Sequence, residues 1–266
     1  MIYDLHKYFQ PMIDGESDSD GYQEFRPKNI LMPYIKCFWL SKKQDTSPSE
    51  SRVIADGCMD IIFSKDLVSG KCGCGFCGLF DKAFTSFGTQ TIEMFGIRFY
   101  PWAAHLFFKE EMKSFKNMNI SLENCLKELF DNRYDIMNVP IESRIQALEV
   151  YIIKELSKQY KINDTVMSAM SLIVKSKGVI SQKSIVEDTC ISERQLQRLF
   201  NNYIGLSPKA TSDIVRFQNI VRESNHNSSI NWHETAYDYK FNDQSHLIRH
   251  FKKFYGLSPT KIFQSK

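Results

Sequence analysis

Phe241-Asn-Asp-Gln-Ser-His-Leu-Ile-Arg-His-Phe-Lys-Lys-Phe-Tyr-Gly-Leu-Ser-Pro259 decides the fold, because its last four residues have already occurred 51 positions earlier. Gly205-Leu206-Ser207-Pro208 returns as Gly256-Leu257-Ser258-Pro259, and at the same offset Leu196, Arg198 and Phe200 match Leu247, Arg249 and Phe251. A coincidence of this kind marks one supersecondary module used twice.

Each copy has the grammar of a helix, a turn and a second helix. In the first, Ser181–Thr189 reads as a short helix and Cys190-Ile191 as a turn. Ser192 follows as N-cap with Gln195 three residues on, a capping box. Leu196, Leu199, Phe200 and Tyr203 fall on one stripe of the next helix, which puts Arg194, Gln197, Arg198 and Asn201 on the opposite face. Gly205 closes the helix as a left-handed C′ residue, and Pro208 stops it from continuing. In the second copy Asn231–Tyr239 is the supporting helix, Asp243 the N-cap, and Leu247, Phe251 and Phe254 the buried stripe. Ser245, Ile248, Arg249 and Lys252 point outward, with Gln244 near the helix start. Arg suits guanine O6/N7, Gln and Asn suit adenine N6/N7, and an outward Ile suits a thymine methyl, so both faces carry major-groove chemistry. The helix read over Ser212–Arg222 lies between the copies and sets their separation.

The 241–259 run closely resembles the signature of the AraC/XylS family of transcription regulators, and the resemblance covers about 100 residues from Val166 onward. It implies two helix-turn-helix units that enter successive major grooves on one DNA face through recognition helices 192–203 and 243–254. The positions matching family base contacts are Arg194, Gln197 and Arg198, then Gln244, Ser245 and Arg249. Two departures stand out. The glycine usual in each turn is replaced by Thr189 and Lys240, and Glu187-Asp188 on the first supporting helix faces phosphates unfavourably, which predicts weaker binding by the first unit. Partners implied are double-stranded operator DNA, a small-molecule effector and RNA polymerase, with the chain acting as a monomer or homodimer.

Ahead of this region the pattern changes. Residues 11–28 read as a surface loop, and short aromatic or β-branched runs at 34–40, 59–63, 78–80 and 94–100 read as strands of an antiparallel sheet or small barrel. Helical spacing then appears in Leu122, Cys125, Leu126 and Leu129, and in Ile145, Leu148, Ile152 and Leu156 of Ser143–Tyr160; each stripe is either core-facing or a dimer seam. The fold class is therefore α+β. A β-rich sensing or oligomerisation domain over residues 1–165 precedes an all-α double helix-turn-helix domain over 166–266. Tyr34–Trp39, Ala55–Phe63 and Gly96–Pro101 also resemble a domain of unknown function that often precedes such a DNA-binding half, which implies sensing without supplying a ligand.

Composition sets the outer bounds. With 266 residues, 42% hydrophobic and 24% charged, the chain is long enough for two cores and too apolar for wholesale disorder. Its apolar runs are too short to span a bilayer, no secretory signal opens it, and seven cysteines without such a signal point to reduced thiols in a cytoplasm. Net charge is +3, divided as +6 over residues 166–266 and −3 over the rest, a distribution that suits phosphate binding at the C-terminal end.

Other side-chain groups in the first half are open to two readings. Trp39, Phe76, Arg98 and Trp102 are candidates for an effector pocket, against a plain aromatic core with Arg98 held by an internal Asp or Glu. Cys72, Cys74 and Cys77, interleaved with glycines, either wrap a soft metal ion or form a mobile hairpin turn. Their spacing is not a zinc-ribbon pair, and no cofactor is expected. His233 and His246 lack a ligand partner at metal spacing and are read as surface or phosphate-facing. No nucleophile elbow, phosphate-cradling loop or His-Glu-x-x-His motif is present, which argues against an enzyme. The alternatives are a constitutive DNA binder with an oligomerisation domain, or an Ada-like repair protein that accepts a methyl group on cysteine.

Overall fold

A computed structural model describes residues 2–12, 21–42, 49–88, 91–108, 110–122, 136–158, 163–226 and 230–263. The first half is built on a six-stranded antiparallel sheet in the order β1-β2-β7-β4-β5-β8, with a separate β3-β6 ribbon. The strands are β1 Tyr22–Phe25, β2 Ile35–Lys42, β3 Ser49–Val53, β4 Met59–Asp66, β5 Cys72–Cys77, β6 Phe84–Gly88, β7 Ile92–Phe99 and β8 Asn119–Ser121. Period-two alternation gives the sheet two different faces. Phe38, Ile97, Ile61, Phe76 and Ile120 form one row across five strands, and the first four are fully buried. One residue along, Cys37, Arg98, Asp60, Cys77 and Asn119 make the matching row on the other face.

The cysteine stretch proves to be the strand β5, hydrogen-bonded to β4 and β8, and not a hairpin turn. Its glycines serve close approach: a Cβ on Gly73 would stand 3.1 Å from Ser64 Oγ, and one on Gly75 3.1 Å from Ile120 O. Gly78–Phe80, read as a strand, lies just beyond the end of β5. Strands β1, β3, β6 and β8 and the first helix escape sequence reading because they are short and lack a clear apolar alternation.

Helices follow as α1 Ile2–Tyr8, α2 Ile141–Leu156, α3 Asp164–Lys175, α4 Gln182–Thr189, α5 Glu193–Tyr203, α6 Pro208–Asn225, α7 Trp232–Asp238, α8 Gln244–Tyr255 and α9 Pro259–Phe263. The helix expected around Cys125–Leu129 falls outside the described residues. In α2, Leu148 and Ile152 are buried within the chain, Arg144 pairs with Glu93 at 2.7 Å, and Glu149 accepts the Lys28 N–H. Among the described residues no helix is long and apolar enough to cross a membrane.

The two halves are joined by backbone. The Ala55 N–H donates to Phe254 O at 3.0 Å, the Ala83 N–H to Lys253 O at 2.9 Å, and Gln218 Nε2 to Ala55 O at 3.0 Å. Gly57, at φ 78°, brings Phe9 and Ile214 so close that a Cβ would meet them at 3.2 and 3.1 Å. On the far side, His105 sits edge-on to Tyr203 at the end of α5, ring centroids 5.0 Å apart. Burial pushes its imidazole down to about 4, below the ordinary value of 6.5. Between about pH 4 and 6.5 the folded state therefore holds His105 neutral while the unfolded chain protonates it. Its contribution is complete above about pH 6.5 and is lost as pH falls toward 4. In urea titrations at pH 7 and pH 4.5, His105→Phe is expected to lose about 1–3 kcal/mol less on acidification than the parent protein.

Candidate nucleic-acid interface

Both helix-turn-helix units are fixed by short-range hydrogen bonds that the sequence encodes directly. Ser181 caps α4 by accepting the Ser184 N–H at 3.0 Å. Ser192 accepts from Gln195 N–H while Gln195 Oε1 accepts from Ser192 N–H at 2.9 Å, so the capping box is complete. Asn231 caps α7, and Asp243 caps α8 by accepting the His246 N–H at 2.6 Å. Each such cap stabilises its helix by about 1 kcal/mol. Gly205 and Gly256, both at φ 90°, close the two second helices in the left-handed conformation that only glycine adopts without strain.

The turns differ in one residue from expectation. Lys240 takes the left-handed position in the second unit (φ 52°), but in the first it is Cys190 (φ 53°) and not Thr189. A β-branched side chain resists that conformation, and Thr189 stays helical with its hydroxyl donating to Ile185 O at 2.7 Å.

On α5, Arg194 and Arg198 are exposed, while Gln197 and Asn201 are half-buried and joined by a Gln197 Nε2 to Asn201 Oδ1 hydrogen bond of 3.2 Å. Leu196 and Phe200 are buried beneath them. On α8, Gln244, Ser245, Arg249 and Lys252 are exposed and Ile248 is half-buried above Leu247, Phe251 and Phe254. Every exposed residue named here keeps its exposure with the N-terminal half in place. Glu187 and Asp188 are exposed on α4, and His233 on α7. His246 stands edge-on to Phe241, and His250 is half-buried between Phe241 and Phe254, where desolvation lowers its pKa.

The N-terminal candidates are placed in three different surroundings. Trp39 Nε1 and Arg98 Nε both donate to Asp60 Oδ1, at 2.8 and 3.0 Å, and Asp56 lies 3.6 Å from the same Arg98 nitrogen. The guanidinium thus has an internal carboxylate partner. Phe76 is on the opposite face of the sheet, packed on Phe108 and Phe115, and Trp102 is buried with its indole N–H donating to Pro33 O. Cys72 and Cys74 share the Phe76 face while Cys77 takes the other, and among the described residues no cluster of three His, Cys, Asp or Glu side chains suits a metal ion. Gln218 escaped notice in the sequence, although a polar residue within Ile214, Val215, Phe217, Ile220 and Val221 was a signal.

Residues 185–265 match the family described as a helix-turn-helix domain, and residues 23–121 match a domain of unknown function, DUF6597. No curated protein matches the chain. Among solved structures the chain is similar to an apo variant of ToxT from Vibrio cholerae strain SCE256, at 10% identity and a TM-score of 0.43 over 85% of this chain and 97% of that one. It is similar also to ToxT from Vibrio cholerae O395, at 14% identity and a TM-score of 0.40 over 92% and 97%. A third is unsaturated-fatty-acid-bound wild-type ToxT from strain SCE256, at 12% identity and a TM-score of 0.43 over 86% and 96%.

Arg198→Ala and Arg249→Ala separate base reading from phosphate binding. Each is expected to cost about 1–3 kcal/mol of DNA affinity and to relax preference at its own base position, read by binding-site selection on randomised duplexes. Uniform weakening on all sequences would assign them to phosphates instead. The Arg249 change is expected to be the larger, because the acids Glu187 and Asp188 flank the first unit.

Proposed function

We propose that this chain, whose C-terminal part is a helix-turn-helix domain of the AraC/XylS type, is an effector-gated transcription regulator of the cytoplasm that grips double-stranded DNA with both units. The observation that carries the reading is duplication with exposure. Two capped helices, both packed on one buried connecting helix, α6, present Arg, Lys and amide side chains to solvent. Lysines and arginines supply salt-sensitive phosphate affinity, and the two faces supply sequence choice.

Gating acts through helix position. The N-terminal half leaves the recognition faces uncovered, so it does not work as a plug. It holds their ends instead: Lys253 O and Phe254 O, last-turn carbonyls of α8, accept N–H groups of Ala83 and Ala55, and Gly205 after α5 packs against the backbone at Met112. A shift of the N-terminal half therefore changes the angle or spacing of one recognition helix against the other, and DNA affinity with it.

Two units in one chain should read two boxes roughly 10 bp apart between centres, on one face of the duplex. Selection followed by hydroxyl-radical footprinting is expected to show paired protections at that spacing, with affinity falling steeply as salt rises. A footprint limited to one box of a few base pairs would refute engagement of both units.

A further inference from the structure

Helix α1, strands β1 and β2 and the 26–32 segment enclose a cleft of about 410 Å³. Its floor is apolar: Pro27, Ile35, Cys37 and Tyr100 are all buried. Burial pushes the Cys37 thiol up to about 12, so it stays neutral and behaves as a small hydrophobe. The rim is polar and carries Glu24, Arg26 and Lys36.

The charges on that rim are unequally satisfied. Lys36 Nζ pairs with Glu24 Oε2 at 2.9 Å, and Glu24 Oε1 accepts from the Tyr22 hydroxyl at 3.1 Å, so both carboxylate oxygens are engaged. Among the described residues Arg26 contacts only the thioether of Met32, at 3.2 Å, and no carboxylate pairs with it. A thioether is a weak acceptor, so the planar fork of donors remains available to an anion. The rim thus offers one unspent positive charge beside a carboxylate that would repel a polyanion. The volume lies at the small end of ligand pockets.

The cleft is also wired to the DNA-binding half. Its wall includes His6 and Gln10, from α1 and the residues just after it. The same segment carries Tyr8 beneath the Lys175 ammonium of α3, Phe9, which shares close approach to Gly57 with Ile214 of α6, and Met12, whose N–H donates to Gln218 Oε1 at 2.8 Å. Tyr100 of the floor lies 6.4 Å from Phe9 between ring centroids.

We infer that this cleft is the effector site, and that it takes a small organic monoacid with its carboxylate on Arg26 and its apolar body on Ile35 and Tyr100. Occupancy moves α1, and α1 moves the connecting helix. The inference rests on the gated-regulator reading above, and the experiment separates the two.

Purified full-length protein is titrated by calorimetry with benzoate, salicylate, phenylacetate, indole-3-acetate and hexanoate, with benzamide and inorganic phosphate as controls. At least one acid is expected to bind 1:1, at least tenfold tighter than the neutral amide, and phosphate is not expected to bind. Arg26→Gln should weaken that binding at least tenfold, Arg26→Lys should restore part of it, and DNA affinity of the ligand-free protein should be unchanged in both. Absence of binding by every acid, equal binding of the amide, or full affinity in Arg26→Gln would overturn the site. Binding that is lost in Arg26→Gln but leaves DNA affinity unmoved would uphold the site and overturn gating.

Discussion

Everything in this molecule is hung on α6, an 18-residue helix about 27 Å long that is buried on nearly every side. A helix with one apolar stripe packs against one neighbour, whereas a helix covered on most sides forms an axis for several. Phe217 meets Phe251, Phe254 and Tyr255 of the second unit, Arg216 reaches Gly178 O ahead of the first unit, and Ile214 closes on Gly57 beside Phe9, the residue after α1. Several of its buried residues are polar, and among them Gln218 ties the halves together, accepting from Met12 N–H and donating to Ala55 O. Removing either partner would leave a buried polar group at a cost of about 1–3 kcal/mol, so the halves specify each other's position.

The same economy governs polar groups in the first half. Asp60 gathers Trp39 and two nitrogens of Arg98 into one buried cluster, with Asp56 alongside. Two carboxylates and one guanidinium leave one negative charge too many. Burial accordingly raises the Asp56 pKa, with its neighbour Asp60 adding to the effect. Such a cluster fixes the register of β2, β4 and β7 more than it adds stability, since desolvation offsets much of the attraction.

What could be read from the sequence follows from how local each signal is. Caps and helix faces depend on residues within one or two turns, the repeat is visible in the sequence itself, and Ser192, Gln195, Asp243 and Arg249 could be placed without a fold. The turn of the first unit shows the limit: an offset of 51 aligns Thr189 with Lys240, but backbone sterics shift the left-handed residue to Cys190. Glycine in β5 reads as flexibility because its other meaning, close approach to Ser64 and Ile120, needs the pairing of β5 with β4 and with the distant β8. Arg98 was known to need an anion, but Asp60 is 38 residues away and only strand pairing identifies it. The cleft was illegible for the same reason, since its walls come from α1, β1, β2 and Tyr100.

The energy scale of the junction bears on how a DNA reader of this build is regulated. A net hydrogen bond is worth about 1 kcal/mol, and backbone contacts from Ala55 and Ala83 to the end of α8 plus the two made by Gln218 amount to a few. That sum, about 4 kcal/mol, lies between typical coupling energies of about 1–3 kcal/mol and the roughly 5.5 kcal/mol that a two-state swing from 1:99 to 99:1 requires. On the gated reading proposed above, a junction that grips helix ends and leaves their faces open suits graded control: changes of about tenfold to a hundredfold in affinity for paired boxes. Single-box affinity would change little, because each recognition helix keeps its own caps and packing whichever way the halves are set. Regulation would then live in the geometry between two intact readers, and operator spacing would be the variable on which it acts.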